Sequence, residues 1–510
     1  MKTGKVWLVG AGPGDVGLLT IKGREALEGA DVIVYDHLVN KDLLAMFGEG
    51  KEWIDVGKQA GHHLISQEEI QKILQREAKQ GKQVVRLKGG DPFLFGRGGE
   101  EARELADAGI DFQIVPGVTS ALAVPAYQGI PVTHRDYASS LHIITGHKRG
   151  ESQEPINFQA LAALKGTLVF LMGVTTLPQI TESLMEAGMD PETPAAILQE
   201  GTTAGQRRVT GTLKTLAAKA AKEQIRPPAV IVVGQVCTLA GELEWYGKLP
   251  LTGLRILLAR PRERMEPLAG RLRKKGAQVL EAPAIETVPI PGQERLLSCM
   301  DKLETYDWLV FTSPAGTDYF FQILEEQAID IRRLHGRKIA VIGEGTGETL
   351  KKRGIYPDLM PETYDGVSLG KALAEHGGRG VRILLPRAEK GNQELVPILE
   401  AAGAVVEDVP IYRTIQKEIQ RINIREELEQ GRIDCVVLTS GSVTEGFARM
   451  AEGADLSGIT AVCIGEQTAG RARRYGLMCR VAGKAALEGI EEELEKIAAE
   501  KRKRDQHKKG

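Results

Sequence analysis

Short apolar runs alternate with stretches of helical period along most of this chain. VWLVG (6–10), DVIVYD (31–36), QVVRLKG (83–89), LHIITG (141–146), TLVFLMG (167–173) and AVIVVG (229–234) have the length of buried strands. Segments such as EEARELADAG (100–109) carry the helical pattern between them. This alternation predicts an α/β architecture with a largely parallel sheet. The first block closes near residue 244. WYGKLPLTG (245–253), punctuated by aromatic, Pro and Gly residues and without period, reads as a linker.

Beyond the linker the chain repeats itself. RILLARPRE (255–263) matches RILLPRAEK (382–390), and LRKKGAQVLEAPAIET (272–287) matches LEAAGAVVEDVPIYRT (399–414). DWLVFTSPAG (307–316) matches DCVVLTSGSV (434–443), all at an offset of 127 residues. That period is far above those of solenoids. It predicts two similar α/β lobes, with a cleft between them as a ligand site. The end of the chain, 493–510, turns helical and then dissolves into KRKRDQHKKG, a basic tail expected to be disordered.

Composition narrows the class. A hydrophobic content of 42% with 26% charged residues suits a soluble globular protein of 510 residues. The net charge of -2 argues against a nucleic-acid partner, so an anionic ligand must meet local clusters of cations. Cys237, Cys299, Cys435, Cys463 and Cys479 are scattered, with no CxxC pair. They point to a reducing cytoplasm and to neither a disulfide framework nor a metal site. No run approaches the ~18 apolar residues of a membrane span.

The richest chemistry lies in VVRLKGGDPFLFGRGGEE (84–101): a strand, a tight turn with five glycines, then a helix. Such a corner cradles ligands in α/β domains, because glycine lets backbone atoms approach where a Cβ would not. GAGPGD (10–15) makes a second corner, and Gly12–Gly17 formally satisfies GxGxxG. Asp36, about 20 residues on, keeps a dinucleotide reading open. Pro13 counts against it, since proline removes an N–H that a pyrophosphate would use.

GAGPGD, YDHLV (35–39), RLKGGDPFLFGRGGEE (86–101), PGVTSA (116–121) and GIPVTHR (129–135) stand in the order found in the tetrapyrrole methylase family. TGHK, LVFLMGV, QEGTT and PPAVIVVG continue the likeness to residue 234. The chain resembles the uroporphyrinogen-III C-methyltransferases of that family from Lys5 to about Leu243, which places a methylase domain at 1–244. The resemblance implies a two-subdomain methylase fold, S-adenosyl-L-methionine as methyl donor, and a homodimer through the methylase domain. It implies cofactor contacts at Pro13, Gly89, Gly90, Asp91, Leu94, Thr119, Ser120, Met172 and Gly201. It also makes Asp36 the proton acceptor and Lys58 the proton donor. Read without the family, Asp36 suits a helix cap, Lys58 a surface lysine and Met172 core packing. Arg86, Lys88, Arg97, His134 and Arg135, with His147, Lys148 and Arg149, are the cations expected to meet a tetrapyrrole octacarboxylate.

The second half, read as a domain at 254–492, resembles the uroporphyrinogen-III synthase family from about Gly253 to Ile490 through LLARPRE, VFTSPAG, AVIGEGT, PIYRT, VVLTSGS and CIGEQTA. It departs from that family at Ala315, where Asn is common, and at Ser440-Gly-Ser, where a serine run is frequent. The likeness implies a bilobal α/β fold with two flavodoxin-like lobes. APAIETVPI (282–290) and VVEDVPIYRT (405–414) would be the crossings between them. It places Tyr412 and Thr468 in catalysis, and Arg260, Arg262 and Ser440 on substrate carboxylates. Unaided, Tyr412 reads equally as a strand-end aromatic and Thr468 as a helix cap. The fusion has its own logic, because the product of the synthase is the substrate of the methylase. A second half that only binds tetrapyrroles is the alternative.

Overall fold

The computed structural model describes residues 3–47, 50–57, 65–146, 156–376, 379–391, 393–417 and 422–507. The chain forms two compact units. One comprises Met1–Ile256, Ala269–Glu281 and Glu495–Gly510; the other comprises Leu257–Leu268 and Ala282–Leu494.

In the first unit, β1 (Val6–Gly10), β2 (Val32–Tyr35), β3 (Glu52–Asp55), β4 (Val84–Lys88) and β5 (Phe112–Val115) form a sheet of order β3-β2-β4-β1-β5. All its pairs are parallel. The helix Gln67–Lys79 starts in a Ser66–Glu69 capping box and buries Ile70, Leu74 and Ala78, one stripe at helical spacing.

A second sheet contains β6 (Leu141–Thr145), β7 (Thr167–Leu171), β8 (Pro194–Gln199), β9 (Arg207–Thr212) and β10 (Ala229–Val233), in the order β6-β7-β10-β8-β9. Only β6 and β7 pair in parallel; the other contacts are antiparallel. The expected parallel arrangement therefore fails here. A short apolar run reports burial and not direction, and β10 runs against both β7 and β8.

The C-terminal half contributes β11 (Arg255–Leu258), β12 (Gln278–Glu281), β13 (Ile285–Pro289), β14 (Trp308–Phe311), β15 (Lys338–Val341), β16 (Arg382–Ala388), β17 (Val405–Gln416), β18 (Cys435–Leu438), β19 (Thr460–Cys463) and β20 (Met478–Val481). One sheet has the order β12-β11-β18-β19-β20, which is the flavodoxin-like 2-1-3-4-5. The other, β13-β17-β16-β14-β15, repeats that order from β17 to β15. Its outer strand β13 runs antiparallel to β17, and among the described residues only an Ala340–Leu359 bridge stands where a fifth parallel strand would lie.

Repeats and lobes thus do not coincide: each sheet draws strands from both repeats. The chain leaves one sheet after Glu281 and returns to it after Gln416, at the ends of the two extended stretches. Sequence similarity marks the duplication but not the exchange of strands.

The basic tail also departs from expectation. The helix Leu487–His507 runs through KRKRDQH. Ile490, Leu494, Ile497 and Ala498 are buried along one face. Within the first unit, Lys501 Nζ donates to the Gly253 carbonyl at 2.7 Å and Arg502 Nη1 to that of Leu249 at 3.1 Å. These bonds give the cations partners that composition alone does not reveal. The 245–253 stretch they cap is ordered as well, with Tyr246 and Leu251 buried. Among the described residues no helix is long and apolar enough to cross a membrane.

Candidate active sites

The loops that follow β1, β4 and β5 meet at one end of the first sheet. Ala11 N donates to the Lys88 carbonyl at 2.8 Å, and Gly12 and Gly90 exchange two backbone hydrogen bonds at 3.2 and 2.8 Å. Gly12 (φ +78°) and Gly90 (φ +68°) hold the left-handed conformations this needs. A Cβ on Gly117 would lie 2.3 Å from the Gly90 carbonyl oxygen, so the approach tolerates no side chain. Asp91 locks the corner: Oδ1 accepts from the amides of Phe93 (2.8 Å) and Leu94 (3.1 Å), and Oδ2 from that of Gly117 (3.0 Å). Thr119 then caps the helix Ser120–Tyr127 by accepting from Ala121 N.

The second sheet closes on the same corner. A Cβ on Gly201 would fall 2.3 Å from Val124 Cγ1, on the helix that Thr119 and Ser120 begin. The Asp15 amide donates to Thr202 Oγ1 at 3.1 Å, and Tyr127 OH donates to Asp15 Oδ2 at 2.7 Å. Thus GAGPGD, GGD, PGVTSA and QEGTT come together at one corner. Met172, just past β7, is 52% exposed. Of the eight non-glycine residues with positive φ among the described residues, Phe95, Arg97, Met172, Glu200 and Thr202 lie in these loops. Such conformations cost about 1–3 kcal/mol each and cluster at ligand sites. This excludes ordinary core packing for Met172. A cradle of backbone atoms, with Pro13 where a phosphate would want a donor, fits an adenosyl sulfonium and does not favour a pyrophosphate.

Asp36 lies just past β2, partly exposed. Its Oδ1 accepts from Leu38 N at 3.2 Å and its Oδ2 meets Arg86 Nη2 at 3.4 Å. Arg86 and Lys88, expected to face substrate, are instead sealed inside. Both pair with Glu101, at 3.3 and 3.0 Å, and Glu101 has no exposed surface. Two residues apart, they share one face of a strand whose five residues are all buried, so a charge there needs an internal partner. Burial and the nearby Arg86 charge pull the Lys88 ammonium below its ordinary range, against the pull of Glu101. Arg97 pairs with Glu100 at the start of the helix Gly98–Asp107. His134 is half-buried and packs on Tyr137, while Arg135 is exposed. Lys58, His147, Lys148 and Arg149 lie outside the described residues.

The C-terminal half repeats one device in both lobes. Ser313 caps the helix Pro314–Glu326 and Ser440 caps Gly441–Met450, each through its hydroxyl. Thr317 and Thr444 donate back to the carbonyls of those serines. Tyr412, buried inside β17 and not at its end, places its OH 2.8 Å from Ser313 Oγ and stacks on Tyr319. Burial pushes its phenol upward, opposed by the Ser313 hydrogen bond, so it keeps its proton at neutral pH. Thr468 is buried in the helix Glu466–Arg473, whose cap is Gly465. Arg262 lies in a short 3-10 turn after β11. Arg260, just before it, has Nε and Nη1 buried without a hydrogen-bond partner among the described residues. Sequence reasoning overlooked Arg264 and Asp318, which pair at 2.6 Å beside this group. Only the density of arginines in ARPRER hinted at the first.

Fold and sites together define a two-part enzyme of tetrapyrrole biosynthesis, methylase first and synthase second. The model for tetrapyrrole (corrin/porphyrin) methylases matches residues 5–217, and that for uroporphyrinogen-III synthase HemD matches residues 266–491. The porphyrin biosynthesis protein HemD of Ruminiclostridium josui is 42% identical over 98% of this chain and 99% of its own length. A uroporphyrinogen-III C-methyltransferase of Bacillus subtilis is 43% identical over 72% of this chain and 76% of its own. A solved Thermus thermophilus uroporphyrin-III C-methyltransferase with S-adenosyl homocysteine is 39% identical over 46% of this chain and 93% of its own, with a TM-score of 0.40. The chain belongs to the family of the fused porphyrin biosynthesis protein HemD. It joins an S-adenosyl-L-methionine-dependent uroporphyrinogen-III C-methyltransferase to a uroporphyrinogen-III synthase.

Proposed function

We propose that the C-terminal half closes hydroxymethylbilane to uroporphyrinogen III and that the N-terminal half methylates the product at C-2 and C-7, giving precorrin-2. The observation that carries the methylase reading is the convergence of the Gly12–Gly90 bridge, the Asp91 clasp and Gly201 on one backbone cradle. Pro13, Gly89, Gly90, Asp91, Leu94, Thr119, Ser120, Met172 and Gly201 hold the adenosyl group there. When bound, S-adenosyl-L-methionine supplies the electrophilic methyl. The chain's own task is alignment and exclusion of water. Asp36, held by Arg86, takes the one proton that each methyl transfer releases as the pyrrole recovers its conjugation, and Lys58 stands at the position the resemblance assigns to the proton donor. Arg97, His134 and Arg135 meet substrate carboxylates.

In the synthase half, Tyr412 donates a hydrogen bond to the departing hydroxyl, and Thr468 and Ser440 orient the bilane. Cyclisation loses water and inverts the last ring, again mainly a matter of positioning. We place the methylase at 1–244 and the synthase at 254–492, with 245–253 as the connection, although Ala269–Glu281 clusters with the first compact unit. The methylase half forms the homodimer, nucleic acid is not a partner, and the five free cysteines suit a reducing cytoplasm.

Supplying purified uroporphyrinogen III with a labelled methyl donor tests the methylase assignment. Two labels per macrocycle are expected from the native enzyme and a severe loss from Asp36→Asn. An unimpaired Asp36→Asn enzyme would remove Asp36 from the chemistry.

A further inference from the structure

Among the described residues, Arg260 is a cation without a protein anion. Burial, and then the charge of Arg264, draw its guanidinium down to about 10, so it remains charged at neutral pH. A buried charge left unpaired is costly, and a ligand that completes it offsets that cost. Arg264, four residues on, does have a counter-ion: Asp318 Oδ2 on the helix Pro314–Glu326. The other Asp318 oxygen meets Arg353 Nη2 at 3.0 Å, and the Asp318 side chain is 47% exposed. Arg264 lies within electrostatic reach of Tyr412 and of the exposed Glu263. Arg260, Arg264, Asp318, Tyr412 and Ser313 therefore form one group.

We propose that Arg260 and Arg264 together seat one substrate carboxylate beside Tyr412, with Asp318 as an exchangeable counter-ion that releases Arg264 to it. The inference rests on the synthase reading. Three features carry it. Arg260 offers two unused donors. Asp318 is open to solvent, so its pair with Arg264 is the weaker kind. Arg353 stays with Asp318, so the exchange does not strand its charge. A substrate carboxylate thus gains two guanidinium partners, and Asp318 acts as the threshold that a misplaced carboxylate fails to cross.

The test uses the full-length enzyme and hydroxymethylbilane, with methylation of uroporphyrinogen III by the same preparation as the check on folding. Asp318→Asn should lower KM for cyclisation by about threefold or more and leave kcat within about twofold. Arg264→Met should raise KM by about tenfold, equivalent to ~1.4 kcal/mol. In the double variant the benefit of Asp318→Asn should vanish, because no Arg264 remains to be released. A higher KM in Asp318→Asn would make Asp318 a structural clamp and overturn the proposal, as would an unchanged KM in Arg264→Met. A native enzyme that yields only the type I isomer would instead overturn the synthase reading and the seat with it.

Discussion

Asp91 binds the amide of Gly117 at 3.0 Å across two loops that the sequence separates by 26 residues. With Phe93 and Leu94 amides on its other oxygen, this carboxylate holds the backbone cradle in shape. Asp91→Ala leaves three amides without their acceptor, each loss costing about 1–3 kcal/mol where water cannot replace it. Calorimetry with S-adenosyl-L-homocysteine should register loss of binding, while cyclisation by the same protein persists. Unchanged affinity would detach the GGD turn from the cofactor.

Gly201 offers a steric test of the same cradle. An alanine there meets Val124 Cγ1 at 2.3 Å, well inside contact distance. Gly201→Ala should push the helix Ser120–Tyr127 away and weaken nucleoside binding by about tenfold or more, on the scale of an overpacked site. Adding Val124→Ala makes room and should restore much of the affinity. Failure of that rescue, in the same titration, would mean the glycine serves another purpose.

Much of this corner was legible because it is local. A strand at Val84–Lys88, a glycine turn and a helix from Glu100 follow from residue order alone, and the helix itself begins two residues earlier, at Gly98. What escaped depends on distant partners. Arg86 and Lys88 look like presented cations until Glu101, on the following helix, is seen to receive both. The direction of β10 and the exchange of strands between the synthase lobes are choices among pairings with equal local support. Met172 resembles a core residue by neighbourhood, and only its backbone conformation and exposure reveal otherwise.

Tyr412→Phe removes one hydroxyl and leaves the ring stacked on Tyr319. Cyclisation should slow by about 10–100-fold, in the range of a lost donor to a leaving group. Methylation should be untouched. A full-rate Phe variant would confine Tyr412 to packing.

Acid stability should depend on Glu77, buried in the first unit with Lys82 at 2.6 Å and Arg76 at 2.7 Å. Burial pushes its carboxyl up, but the bonds from Lys82 and Arg76 outweigh that and hold it below the ordinary 4.5. A depressed carboxyl adds stability above the unfolded value, lost as pH falls through the folded one. Glu77→Gln should therefore cost about 1.5–3 kcal/mol near pH 7, with the gap to the native protein narrowing below pH 4.5. Urea titrations of both proteins across that interval measure it; a constant gap would contradict the assignment.

One reaction interrogates both halves at once. The intact protein is given hydroxymethylbilane and an isotopically labelled S-adenosyl-L-methionine, and the pigment is identified by mass and isomer. A type III macrocycle bearing two labels is the predicted product. A type I macrocycle, or a type III one without label, would contradict the pairing of the two activities in this chain.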